Sequence, residues 1–154
     1  MQGVLEKNRH LLVVLMRSTQ FDKPVPPSES GVMRRVLIVD DEASVRSTLR
    51  AVLETQGYIC EEAENGALAL SALERERFDL VITDNRMPVL NGVEFLETLA
   101  ERATIDPKPP VIFFTGDIDQ EETERALKAG AKAILRKPPN FGEIIHAVQQ
   151  ALSE

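Results

Sequence analysis

Val36-Leu37-Ile38-Val39-Asp40-Asp41 is a short apolar run, mostly β-branched, that stops on two carboxylates. A continuous apolar run of this length marks a strand buried on both faces, as in a parallel sheet covered by helices. Three further runs end in the same way: Leu80–Thr83 on Asp84, Val111–Phe114 on Thr115, and Ala133–Leu135 on Arg136-Lys137. The carboxyl ends of parallel strands share one edge of the sheet, which is where such folds bind ligands.

Amphipathic segments lie between these runs. After Asp41, Val45, Leu49, Val52 and Leu53 recur at helical spacing until Gly57 ends the pattern. Tyr58–Glu61 reads as a second strand, Gly66–Glu76 as a helix burying Leu70 and Leu73, and Phe78–Thr83 as the third strand. Val93–Leu99 is helical with Phe95, Leu96 and Leu99 inward, and Asp119–Ala129 is a helix closed by Gly130. Phe141–Leu152 follows, with Ile144, Ile145, Val148 and Leu152 on one stripe. This alternation predicts an α/β fold, a doubly wound five-stranded parallel sheet of flavodoxin-like order 2-1-3-4-5 with helices on both faces. Strands 1, 3, 4 and 5 are then neighbours, and Asp40-Asp41 and Asp84 flank the crevice.

The bulk composition is that of a soluble globular chain: 154 residues, 43% hydrophobic and 28% charged. A net charge of -7 argues against unspecific binding to nucleic-acid phosphates. The single cysteine, Cys60, excludes an internal disulfide, fits a reducing cytoplasm and reads as a packed thiol. No apolar run approaches the roughly 20 residues of a membrane span, and Leu11–Met16 is too short for a signal-peptide core. Residues 1–32 carry a net +1, which leaves -8 for the remainder, and Pro24, Pro26 and Pro27 with Ser28, Ser30 and Gly31 make a linker. The reading is a flexible N-terminal extension over 1–32, in which Asn8–Arg17 could form a short helix, and one folded domain over 33–154. Met33 is an alternative translation start.

Taken one at a time, the strand-end residues have plain explanations. Asp40 and Asp41 could cap the next helix, Asp84 could open a turn, Thr115 could end a strand, and Lys137 could be a surface lysine. Their shared position at one sheet edge argues for a site. Three clustered carboxylates need compensation, which Mg²⁺ with its preference for oxygen ligands supplies. Asp84, alone on the central strand, is the best nucleophile toward a phosphorus atom, with Asp40 and Asp41 as the metal grip. Lys137 and Thr115 suit the oxygens of a transferred phosphoryl group. His10 and His146 have no neighbouring ligands in sequence, and Met87 reads as packing.

With Val36–Glu42, Asp84-Asn85-Arg86-Met87-Pro88 followed by Asn91-Gly92, Phe113-Phe114-Thr115-Gly116, and Gly130-Ala131 ahead of Lys137-Pro138, residues 34–154 resemble the receiver domain of two-component response regulators, of the single-domain chemotaxis type. The resemblance implies that Asp84 accepts a phosphoryl group from a histidine of a sensor kinase or phosphotransfer protein. It implies Mg²⁺ held by Asp41, by Asp40 mainly through water, by Asp84 and by the backbone carbonyl of Arg86. Thr115 and Lys137 would contact the phosphoryl group, and the Lys137–Pro138 bond would be cis. It also implies self-catalysed phosphorylation and slow dephosphorylation, a signalling acceptor rather than an enzyme in the ordinary sense.

Three departures from the family pattern stand out. Ile134 occupies the switch position in strand five, usually aromatic, which puts output through the helix-four/strand-five/helix-five face in question. Pro139 follows Lys137-Pro138 where Phe is common. Arg86 and Asp117 fill the two variable positions beside the path of the attacking water, and their opposite charges suggest a pair across the mouth that slows hydrolysis. No helix-turn-helix is legible, so direct DNA binding is not expected, and the signal should leave by protein contact or onward phosphotransfer. The rival readings are an aspartate-nucleophile phosphatase of haloacid dehalogenase type and a pseudo-receiver that only docks partners. The first lacks an acid two residues after Asp84, and the second is at odds with an intact Asp84 and Lys137. A flavin site lacks an aromatic clamp, with no Trp and only Tyr58.

Overall fold

A computed structural model describes residues 33–138 and 140–153. The expectations for residues 1–32, for His10 and for the stiffening by Pro139 fall outside the described residues. Five strands and five helices alternate: β1 (Arg35–Val39), α1 (Ala43–Thr55), β2 (Ile59–Ala63), α2 (Gly66–Arg75), β3 (Leu80–Thr83), α3 (Gly92–Glu101), β4 (Val111–Thr115), α4 (Gln120–Lys128), β5 (Ala133–Arg136) and α5 (Phe141–Leu152). The strands are all parallel, in the order β2-β1-β3-β4-β5.

The period of two along each strand sorts the apolar side chains into two cores. Leu37, Val39, Val81, Val111 and Phe113 face one way, onto Leu70 and Leu73 of α2 and Phe95, Leu96 and Leu99 of α3. Val36, Ile38, Leu80, Ile82, Ile112 and Phe114 face the other, onto Leu49 and Leu53 of α1 and Ile144 and Val148 of α5. α4 is the exception among the helices, since its only buried residues are Glu122 and Ala126. Charge adds to that single apolar anchor, with Arg125 paired to Glu97 of α3 at 2.7 Å.

Helix starts follow local chemistry. Asn91 and Glu94 form a reciprocal capping box on α3, as do Asp119 and Glu122 on α4, and Asn65 caps α2. Gly57, at φ 93, and Gly130, at φ 106, take the left-handed turns that end α1 and α4. Two boundaries differ by two residues from the sequence pattern. β3 begins at Leu80, and Asp79 before it meets β1 at Arg35 alone, its N–H donating to Arg35 O at 2.8 Å and its carboxylate accepting from Arg35 N–H at 2.8 Å. β2 runs on to Ala63 through Glu61 and Glu62, since an edge strand tolerates outward polar residues. Glu62 there receives Arg46 at 2.9 Å and Arg50 at 2.7 Å. Cys60 is buried, and burial pushes its thiol up to about 12.

Candidate functional site

Register brings the strand ends level. Val39 pairs with Thr83, and Thr115 with Arg136. The ladder continues one step beyond the strands. Asp40 N–H donates to Ala63 O (3.1 Å), Asp84 N–H to Val39 O (2.9 Å) and Lys137 N–H to Thr115 O (3.1 Å). The backbones of these three residues are therefore fixed by the sheet, and their side chains leave its carboxyl edge together.

One carboxylate oxygen from each of Asp40, Asp41 and Asp84 lies within 4.8 Å of the others. Asp40 and Asp84 are buried and Asp41 is exposed. Lys137 Nζ reaches Asp40 Oδ2 at 3.0 Å and, more loosely, Asp84 Oδ2 at 3.5 Å. Asp40 does not cap α1. The N-cap is Glu42, without a side-chain cap bond, and Asp40 Oδ1 instead accepts from Glu42 N–H at 2.9 Å. Asp84 Oδ1 accepts from Asn85 N–H at 2.7 Å. Burial raises the Asp40 carboxyl above the usual range, against the hydrogen bonds from Glu42 and Lys137 that favour its charged form. Burial also opposes the charge of Lys137, but the hydrogen bond to Asp40 and the field of Asp84 outweigh it and hold the ammonium above an ordinary lysine.

Three carboxylates against one ammonium leave the pocket with an excess of negative charge. That all-oxygen donor set matches a hard divalent cation and offers nothing to a soft one. The residues fit Mg²⁺.

The remaining predicted residues lie around this centre. Thr115 is fully buried, and its Oγ1 accepts from Asp117 N–H at 3.1 Å, so the hydroxyl is engaged by the β4–α4 loop. Ile134 is half-buried and packs against the core on the α2–α3–α4 side. The Lys137–Pro138 peptide is cis, as is Asp106–Pro107. Arg86 Nε does meet Asp117 Oδ2, at 3.2 Å. Its main partner, however, is Glu122, which receives Nη1 at 2.7 Å and Nη2 at 2.9 Å.

Glu122 is thus a residue that the strand-end pattern could not reveal. Its signal was the Asp119-x-x-Glu122 capping box, which sets it at the first turn of α4 beside the sheet edge. Asn85 is the other. Fully buried, it donates through Nδ2 to Asp117 O (3.2 Å) and accepts through Oδ1 from Val93 N–H (3.2 Å). It ties the end of β3 to both the β4–α4 loop and the start of α3.

The fold and this pocket define a class of phosphoryl-accepting signalling module built on a flavodoxin-like sheet. The family described as "Response regulator receiver domain" matches residues 36–149, and the chain belongs to it, among the phosphoacceptor domains of two-component signalling. The transcriptional regulatory protein PdtaR of Mycobacterium tuberculosis is 35% identical over 131 residues, covering 84% of this chain and 62% of that protein. The chain therefore spans about three-fifths of that curated relative. The chemotaxis protein CheY of Halobacterium salinarum is 32% identical over 120 residues, 78% of this chain and 98% of CheY. Among solved structures, a CheY-like receiver domain from Methanospirillum hungatei superposes with a TM-score of 0.74 at 30% identity, covering 79% of this chain and 94% of that one.

Proposed function

We propose that Asp84 is the phosphoacceptor of this receiver domain, which spans residues 33–154, and that its donor is a phosphohistidine of a sensor kinase or histidine phosphotransfer protein. The observation that carries this reading is the meeting of the Asp40, Asp41 and Asp84 carboxylates within 4.8 Å, with Lys137 Nζ bridging the two buried ones. In the transfer, an Asp84 carboxylate oxygen bonds phosphorus as the histidine N–P bond breaks, and the bonding pair returns to the imidazole nitrogen. Lys137 stands beside the nucleophile and neutralises charge on the phosphoryl oxygens. The Thr115 hydroxyl is the second contact, after leaving the Asp117 N–H it now accepts from.

Asp40, Asp41, Asp84 and the backbone carbonyl of Arg86 would hold Mg²⁺. When bound, the ion offsets the mutual repulsion of the carboxylates and the charge of the incoming phosphoryl group.

The phosphorylated domain signals by contact with a downstream protein through the α4–β5–α5 face or by passing the phosphoryl group onward, and not by touching DNA. Ile134 in place of an aromatic ring favours routes that need no ring rotation. The setting is the cytoplasm, where histidine kinases present their phosphohistidine. No helix among the described residues is long and apolar enough to cross a membrane.

The test is incubation of wild type and Asp84→Asn with acetyl phosphate and Mg²⁺, followed by intact-mass measurement. A phosphoryl adduct on wild type alone is the expected result. An adduct on both proteins, or on neither, rejects Asp84.

A further inference from the structure

Arg86 stands two residues beyond Asp84, which puts their Cα atoms no more than about 7 Å apart. An arginine side chain can cover that span, yet in this structure the guanidinium is turned to α4. Nη1 and Nη2 donate to the two oxygens of Glu122 at 2.7 and 2.9 Å, while Nε meets Asp117 at 3.2 Å. Glu122 is the anchored partner. Its side chain is 11% exposed, against 71% for Asp117, and its Oε1 is held independently by the N–H of Asp119 at 3.1 Å. The arginine has come to the helix, not the helix to the arginine.

A guanidinium that forks onto a carboxylate forks equally well onto phosphoryl oxygens. Glu122 and an aspartyl phosphate at residue 84 therefore compete for one cation. We propose that Glu122 is a positioning residue that holds Arg86 on α4, away from the phosphoryl group, so that the lifetime of the aspartyl phosphate depends on where α4 sits. The inference rests on Asp84 being the phosphoacceptor.

In the loss step, a water oxygen bonds phosphorus while the bond from phosphorus to Asp84 Oδ breaks. The bonding pair stays on the carboxylate, and the water's protons pass to the departing phosphate and to solvent. An Arg86 swung onto the phosphoryl oxygens obstructs water at the mouth of the pocket. An Arg86 held by Glu122, with Nε on Asp117, keeps its guanidinium off those oxygens and obstructs water less. A partner that draws the first turn of α4 away from the β3–α3 loop frees the arginine and prolongs the phosphate. By reciprocity, a phosphoryl group that captures Arg86 loosens α4. This path from site to α4 involves no side chain at position 134.

The experiment follows phosphoryl half-life after labelling the full chain with acetyl phosphate and Mg²⁺, in wild type, Glu122→Gln, Arg86→Met and the double variant. Glutamine keeps an oxygen for the capping box but loses the charge that retains the guanidinium. Glu122→Gln is expected to lengthen the half-life roughly three- to tenfold, the range appropriate to a charge-assisted fork at a partly exposed site. Arg86→Met in the same chain should remove that gain. Urea midpoints of all four proteins separate lifetime from stability, since a merely structural role would shift the midpoint and not require Arg86. An equal or shorter half-life in Glu122→Gln, or a gain that persists in the double variant, overturns the proposal. Wild type that takes no phosphoryl group overturns the reading of Asp84 itself and the proposal with it, an outcome distinct from an altered half-life.

Discussion

At Val89 the backbone takes a conformation that its side chain resists. The residue has φ 72, and Leu90 N–H donates to Pro88 O at 2.8 Å, which closes a three-residue γ-turn of the strained hand. A β-branched residue in that region is an outlier. The turn brings Leu90 O onto Gly66 N–H at 3.2 Å, joining the loop after Asp84 to the start of α2. Val89 is 79% exposed, so its isopropyl group contributes little burial to offset the strain. Val89→Gly is expected to stabilise the protein by about 1 kcal/mol, after the extra freedom glycine gives the unfolded chain is subtracted. A urea titration with unchanged slope and a higher midpoint is the predicted outcome. A midpoint at or below wild type would show that the turn is not strained. No residue in Pro88-Val89-Leu90 signals a positive φ, which is why the sequence did not disclose it.

The start of α3 packs tightly against the end of β3. A Cβ added at Gly92 would lie 2.3 Å from Asp84 O and 2.9 Å from the Phe113 ring, one a backbone atom and the other a fully buried side chain. Neither can retreat. At Gly116, on the loop after β4, the nearest atom to an added Cβ is Lys137 Cβ at 3.7 Å, an ordinary contact. Gly92→Ala should therefore cost about 2 kcal/mol or more and slow phosphorylation by shifting the end of β3, whereas Gly116→Ala should fold as wild type. Denaturant midpoints and labelling rates with acetyl phosphate check both, and a benign Gly92→Ala would refute the packing argument. These elements were largely legible beforehand. The three central strands β1, β3 and β4 carry continuous apolar runs, the half-buried edge strand β5 a shorter one, and every helix but α4 a period-3.6 stripe, all of them local signals. The edge strand β2 was less so, because Glu61 and Glu62 owe their tolerance to position in the sheet. Asp40, Asp41, Asp84 and Lys137 could be read because each terminates a strand. Glu122 and Asn85 could not, since their partners lie 36 and 32 residues away in sequence.

At the scale of the described molecule, the sheet separates two apolar cores, and four of its five helices are fastened to one or the other by two or more buried apolar side chains. α4 is different in kind, with Ala126 as its one buried apolar residue. What secures it is the Arg86–Glu122 fork at its first turn, Arg125 on Glu97, and its capping box. Ion pairs at the surface weaken as the screening length falls to about 3 Å in 1 M salt, while apolar packing does not. Ionic strength thus becomes a dial on one helix. Amide hydrogen exchange at rising NaCl should show α4 opening faster while α3 and α5 keep their protection, and uniform protection in all three would contradict it. A domain whose other helices are held by apolar packing carries one that answers to the salt around it.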